Sequence, residues 1–118
     1  MDYKELTPEE KIVTLLFAAT SCRKNFRTTI MECETASEMR EVLEIAKLSH
    51  THIKEKYKAI DVKNAHLSDD GAECCEELYS VMMGFEVDMI RCKWDIWIIE
   101  DEEELERLEA ESEKQSQS

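Results

Sequence analysis

The sequence predicts an all-α fold, a three-helix antiparallel bundle with a long third helix, and two observations support this prediction. The 118 residues include only two glycines and one proline, which is too few for the hairpin turns of an all-β fold. Apolar residues instead recur at spacings of three and four along most of the chain, as on helix faces that pack together. The length fits one domain with one core.

The first helix is predicted to begin at a capping box. Thr7-Pro8-Glu9-Glu10 combines an N-cap threonine, a proline at the first helical position and a glutamate that can reach back to the cap. The apolar stripe that follows consists of Ile12, Leu16, Ala19, Cys22, Phe26, Ile30 and Cys33.

A second capping pattern, Thr35-Ala36-Ser37-Glu38, predicts the start of the next helix. The short break between the helices favours an antiparallel helical hairpin over one kinked helix. The stripe of this second helix consists of Met39, Leu43, Ala46, His50, Ile53, Tyr57 and Ile60, and residues 61–70 are predicted to form a loop.

The third helix is predicted to start with acids in its first turn, Asp69, Asp70 and Glu73, where the helix dipole favours negative charge. Its main stripe is a seven-residue repeat of coiled-coil type, with Cys75, Leu78, Met82, Phe85, Met89, Cys92, Ile96 and Ile99. A second stripe on the same helix contains Met83, Val87, Ile90, Trp94 and Trp97, with Ile98 beside it.

A helix that is apolar on two sides should be buried on two sides. One interpretation is that the third helix fills the groove between the first two helices. The other is that its second stripe forms a homodimer. We expect a homodimer with Met83, Val87 and Ile90 in the interface.

The formal net charge of −13 lies entirely in residues 68–118, which carry 17 acids and four bases. The densest part, Glu100–Glu113, is called the acidic segment here and contains nine acids and one base, Arg107. We predict one bundle domain over 1–112, with an acidic extension from about residue 100 and a disordered tail over 113–118. At ~1.5 Å per residue the third helix, helical to about Glu109, should project beyond the bundle.

Acidic residues in this number favour solubility and basic partners. Trp94 and Trp97 come directly before them, and tryptophan is enriched at binding hot spots. The alternative for both tryptophans is a core position at the wide end of the bundle. The surface predicted to bind a basic protein partner comprises Trp94, Trp97, Glu100, Asp101, Glu102, Glu103, Glu104 and Glu106.

A rival within the binding proteins is a nucleic-acid mimic of the viral or mobile-element type, whose carboxylates imitate phosphates and block a nucleic-acid-binding protein. That function needs acids spaced along a rigid surface. Direct binding of nucleic acid is not expected, because the acids of this chain would be repelled by phosphate.

No complete catalytic motif is found, so we expect no enzymatic activity, no catalytic residues, no metal and no cofactor. The strongest enzyme alternative is a divergent magnesium-dependent nucleotide pyrophosphohydrolase. Such helical enzymes bind the ion through Glu-x-x-Glu on one helix and Glu-x-x-Asp on the next. Glu41/Glu44 and Glu73/Glu76 fit the first half, but Glu-x-x-Asp does not occur.

Adjacent Cys74 and Cys75 raise the alternatives of a zinc site with His66 or a redox pair. Neighbouring side chains on a helix diverge by about 100°, so we instead expect Cys75 to pack in the core with Cys74 at its edge. His50 occupies a core position and is predicted to be a hydrogen-bonded structural histidine. We expect His52 and His66 to be exposed.

The five cysteines are an odd number, and the N-terminus has no signal-peptide pattern because it opens with charged residues. The sequence also has no apolar run near the ~20 residues of a membrane span. We therefore expect reduced thiols, a cytoplasmic location and no membrane partner.

Overall fold

The computed structural model describes residues 2–116, which are helical apart from short connections. A 3-10 turn over Tyr3–Glu5 precedes helices α1 (Pro8–Glu32), α2 (Ala36–Lys58) and α3 (Asp69–Ser116). Each helix packs against the other two, and no β-strand occurs between residues 2 and 116. The predicted all-α fold of three helices is confirmed.

The helix starts follow local sequence signals. At α1 the capping box is complete, since Glu10 N–H donates to Thr7 Oγ1 at 3.2 Å and Thr7 N–H donates to Glu10 Oε1 at 2.9 Å. At α2 Thr35 Oγ1 accepts from Glu38 N–H at 3.1 Å. The turn between these helices includes Cys33 in an extended conformation, so α1 and α2 are separate helices rather than one kinked helix.

The start of α3 uses a residue that the sequence pattern did not indicate. Ser68 Oγ accepts from Gly71 N–H at 3.2 Å, which is the role of an N-cap. Ser68 also donates through its hydroxyl and its N–H to Glu9 Oε1 on α1, at 2.5 and 2.9 Å. One serine therefore both caps α3 and links its start to the first turn of α1.

The core follows the predicted stripes, with one shift on α1. Leu15 is buried and Leu16 is only half-buried, whereas the predicted stripe contained Leu16 and not Leu15. Because α1 packs against both other helices, its apolar face is wide enough to include both leucines. The main stripe of α3 is confirmed at its centre, where Leu78, Phe85, Met89, Cys92 and Ile96 are buried.

Both glycines lie in α3 at its contact with α1, not in turns. A Cβ atom on Gly71 would lie 2.2 Å from Glu9 Oε1, and one on Gly84 would lie 2.4 Å from Arg23 Nη1. The absence of a side chain at each position thus leaves room for a charged group of α1. Arg23 uses this space to donate from Nε to Asp88 Oδ2 at 2.8 Å.

Helix α3 is longer than predicted, since it runs to Ser116 rather than to about Glu109. Residues 113–116 of the predicted disordered tail are helical, and residues 117 and 118 lie outside the described residues. Arg107 supports this part of the helix because it pairs with Glu104 at 2.5 Å and Glu111 at 3.4 Å. The principal extents of 76 × 24 × 20 Å reflect a third helix whose residues 101–116 are exposed.

Candidate functional site

The second stripe of α3 is not buried within the bundle. It continues at both ends beyond the predicted residues, and all its side chains are 44–69% exposed. The interpretation that α3 fills a groove with both stripes is therefore wrong for the single chain. We call this surface the outer stripe, formed by Tyr79, Met83, Val87, Ile90, Trp94, Trp97, Ile98, Leu105 and Leu108.

The two tryptophans form a pair on this surface. Their ring centroids are 5.6 Å apart with planes inclined at 45°, and their exposed fractions are 58% for Trp94 and 60% for Trp97. The alternative that they are core residues is thus wrong. Both rings border an open groove of about 720 Å³ between α2 and α3.

Charges of both signs surround the tryptophan pair. Helix α2 brings Arg40 and Lys47 to the groove, and α3 brings Lys93 and Glu100. Arg40 forms an ion pair with Glu100, and Lys47 pairs with Glu44 at 3.3 Å. The sequence pattern placed acids directly after the tryptophans, and it does not show which α2 side chains lie beside α3.

Three of the six predicted partner-binding acids contact the chain itself. Glu100 pairs with Arg40, Glu104 pairs with Arg107, and Glu103 Oε1 accepts from the N–H of Ala36 at 3.2 Å. Glu103 lies four residues before Arg107, a spacing that favours an ion pair on a helix. Glu103 instead faces the first turn of α2, where unpaired backbone N–H groups attract a carboxylate.

The other three predicted acids are on the exposed part of α3. Asp101, Glu102 and Glu106 are exposed, and the structure records no ion pair for them within 2–116. The predicted dimer residues are also accessible, with exposed fractions of 46% for Met83, 44% for Val87 and 52% for Ile90. Tryptophans, acids and predicted dimer residues thus lie along the same helix.

The residues considered for metal binding or catalysis do not form one site. His50 is buried, with Nε2 3.3 Å from the Met82 carbonyl oxygen and its ring edge-on to Phe85 at 5.5 Å, which confirms the structural histidine. His52 and His66 are exposed, as predicted. No three His, Cys, Asp or Glu side chains in the described part of the chain are grouped so that they could hold a metal ion.

Cys74 is half-buried. Cys75 is also half-buried rather than fully packed, because it lies at the first turns of α3 beside Tyr57 of α2. Burial, followed by a hydrogen bond with the Cys75 thiol, raises the pKa of Tyr57.

The two Glu-x-x-Glu pairs lie on separate parts of the bundle. Glu41 follows Arg40, which pairs with Glu100, whereas Glu73 and Glu76 flank Cys75, which contacts Tyr57. The first pair is therefore near Glu100 of α3 and the second ends at Glu76. These α3 positions are about 24 residues apart, or ~36 Å at ~1.5 Å per residue. The two pairs therefore cannot bind one magnesium ion between them.

No helix within residues 2–116 combines the length and apolar character needed to cross a membrane. Comparison with known proteins identified no relative: no family model matches the chain, and no match was found among curated proteins or solved structures.

Proposed function

We propose that this chain is a non-enzymatic interaction protein that binds a basic protein partner through Trp94, Trp97 and the acidic segment of α3. The observation that carries the proposal is the outer stripe, which leads directly into the acidic segment on one continuous helix. The finer assembly that we propose is an antiparallel bundle that forms a homodimer through Met83, Val87 and Ile90, in a reducing cytoplasm.

The size of the exposed apolar surface on α3 supports a role in binding. Contiguous exposed apolar patches on soluble proteins are usually small, and larger ones commonly mark interaction sites. The paired rings of Trp94 and Trp97 would provide the anchor, since tryptophan is enriched among residues that dominate binding energy.

The charge supports a basic partner. Asp101, Glu102 and Glu106 form no ion pair with any residue of 2–116, and they follow the tryptophans on the exposed helix. A concentrated negative field increases the association rate of a positively charged partner and adds specificity more than affinity. The tryptophans would therefore supply most of the affinity, and the acids would supply steering.

The order of contacts supports the antiparallel arrangement. Glu9 contacts Ser68 and Arg23 contacts Asp88, so α1 and α3 run in the same direction. Arg40 contacts Glu100 and His50 contacts Met82, so α2 runs in the opposite direction to α3.

The nucleic-acid mimic is a second candidate because the acidic segment is helical throughout. On one side of that helix the carboxylates recur at spacings of four and three, a regular row that a flexible tail would not hold. The row consists of Glu102, Glu106, Glu109 and Glu113.

A titration with a defined basic probe tests the proposal. The probe is a dye-labelled amphipathic helical peptide of leucine and lysine, and a peptide with glutamate in place of lysine is the control. Fluorescence anisotropy would measure affinity across salt concentrations. We expect Trp94→Ala/Trp97→Ala to weaken binding by about tenfold or more, as for hot-spot residues, while matched Phe17→Ala/Met31→Ala, at exposed α1 positions, leaves it unchanged.

The acids are tested in the same assay. Asp101→Asn/Glu102→Gln/Glu106→Gln should reduce the salt dependence of binding, because fewer exposed charges remain to be screened. The control is Glu73→Gln/Glu76→Gln/Glu77→Gln, exposed acids at the other end of α3. Unchanged affinity in the tryptophan variant would refute the proposed surface. If the acid variant alone lost binding, the mimic would be favoured.

A further inference from the structure

We propose that the outer stripe pairs antiparallel with the outer stripe of a second copy of this chain, about a twofold axis beside Trp94. Each acidic segment then lies against basic side chains that flank α3 of the other copy. This inference rests on the proposed function, because it places a second copy of the chain on the same surface and gives the proposed homodimer a register.

The length of the stripe is sufficient for a stable helix pair. From Tyr79 to Leu108 it spans about 44 Å at ~1.5 Å per residue, or roughly four seven-residue repeats, which is the length at which such patterns indicate a coiled coil. The midpoint of this span falls at Lys93 and Trp94. An axis at that point superposes the whole stripe of one copy on that of the other.

The antiparallel register places two pairs of apolar residues of the outer stripe at the same level. Ile90 and Ile98 are equally far from Trp94 along the chain, and so are Met83 and Leu105. Each pair is therefore brought together across the axis. Leu105 is 59% exposed and lies outside the buried core cluster, so Met83 of the other copy would cover it.

Charge distinguishes this register from a parallel one. A parallel pair would place two acidic segments side by side, each with nine acids and one base, and like charges at such positions are destabilising. The antiparallel pair separates the centres of the two segments by about 25 residues of helix, or ~38 Å at ~1.5 Å per residue. It brings each of them to the first half of α3 in the other copy.

Basic side chains flank α3 in that half on both sides. On the α2 side, Lys54 and Lys58 line an apolar groove of about 300 Å³ with Tyr79 and Met83, together with one acid, Glu86. On the α1 side, another groove is lined by Arg23, Lys24 and Arg27.

The twofold axis assigns particular acids to the α2 side. Because the axis lies in the interface, perpendicular to both α3 helices, the α2 helices of the two copies lie on the same side of the pair. Glu104 lies one helical turn after Glu100, which contacts Arg40 of α2, and Glu111 lies seven residues further on the same side. Glu104 and Glu111 of one copy therefore approach Lys54 and Lys58 of the other.

Complementary charge reversal tests this pairing by sedimentation in reducing buffer. One variant is Lys54→Glu/Lys58→Glu and the other is Glu104→Lys/Glu111→Lys. We expect the native chain to dimerise at tens of micromolar, each variant alone to dimerise at least tenfold more weakly, and their equimolar mixture to restore the dimer. In a mixed dimer, acidic side chains again face basic side chains at both ends of the helix pair. Glu32→Lys/Glu41→Lys, with exposed acids outside the outer stripe, controls for net charge.

Several results would overturn the inference. A native monomer at these concentrations would do so, as would a mixture no more associated than its components. Stronger self-association of Glu104→Lys/Glu111→Lys would indicate a parallel pair instead. Circular dichroism verifies that each variant is folded. If the native chain is monomeric but still binds the basic peptide through its tryptophans, the proposed function stands and this inference alone fails.

Discussion

Arg23 lies directly over Gly84, where a Cβ atom would be 2.4 Å from the guanidinium Nη1. This close approach lets Arg23 reach Asp88 at 2.8 Å, and Arg27 approaches the same carboxylate at 3.5 Å. The Asp88 side chain is only 11% exposed. A glycine in the middle of α3, unfavourable for a helix by itself, thus makes room for an ion-pair cluster between α1 and α3.

The first prediction follows from this contact. Alanine is about 1 kcal/mol more favourable than glycine within a helix, but in Gly84→Ala the new methyl group must displace Arg23. We expect Gly84→Ala to change the free energy of unfolding by less than about 0.5 kcal/mol in the native chain, and to stabilise the Arg23→Ala background by about 1 kcal/mol. Urea unfolding measures both effects. Equal gains in the two backgrounds would show that the displacement has no cost.

The second prediction concerns Glu9. Hydrogen bonds from the Ser68 hydroxyl and then from its backbone N–H hold the pKa of Glu9 below its ordinary value. A carboxyl group with a lowered pKa stabilises the fold above its unfolded-state pKa, and this contribution is lost as pH falls through the folded-state pKa. The stability difference between the native chain and Glu9→Gln should therefore be constant above about pH 5.5 and shrink below about pH 4.5.

Urea unfolding from pH 7 to pH 3 checks this prediction. Glu5→Gln is the control, since Glu5 is exposed and has no recorded side-chain hydrogen bond among residues 2–116. A difference for Glu9→Gln that stays constant across the whole range would contradict the prediction.

The third prediction concerns Cys92. Burial, with the charge of Asp95 and the neighbouring Cys33, raises the pKa of the Cys92 thiol to about 11. Because the thiolate is the reactive form, Cys92 should be the slowest cysteine to react with iodoacetamide at pH 8 in the folded protein. Peptide mapping by mass spectrometry measures each site, and the same reaction in urea is the control. Labelling of folded Cys92 as fast as half-buried Cys22 would be inconsistent with its burial.

The fourth prediction concerns the helix in the acidic segment. Arg107 pairs with both Glu104 and Glu111, and such pairs each stabilise a helix by a few tenths of a kcal/mol. We expect Arg107→Ala to accelerate amide hydrogen exchange over residues 104–111 without changing the exchange of α1. Arg91→Ala, at another exposed position of α3, should leave the segment unchanged. Unchanged exchange in Arg107→Ala would mean that the pairs do not stabilise this helix.

The parts of the fold that were predictable from the sequence depend on residues close together in the chain. The capping box at Thr7 and Glu10 is contained in four residues, and the core positions of α2 follow one regular spacing. His50 was predicted to be a structural histidine because it occupies one of those spacings. Local periodicity is sufficient for such features, since each helix defines its own apolar face.

The remaining features depend on which helix faces meet. Both stripes of α3 have spacings of three and four, so periodicity alone did not show that Trp94 and Trp97 would be exposed. The contact between Glu103 and Ala36 joins residues 67 positions apart, and the role of Gly84 depends on an arginine from another helix. Side-chain pairing between helices is decided by their packing, which a one-dimensional pattern does not specify.

The hydrogen bond from the Ala36 N–H to Glu103 also joins the acidic segment to the start of α2. Composition suggests a boundary at Glu100, where the acidic segment begins. However, the α3 turn after Glu100 supplies a carboxylate to the first residue of α2, so this turn belongs to the folded bundle and contributes to its stability. Unfolding of α3 past Glu103 would expose that α2 amide, which couples fraying of the long helix to the start of its neighbour.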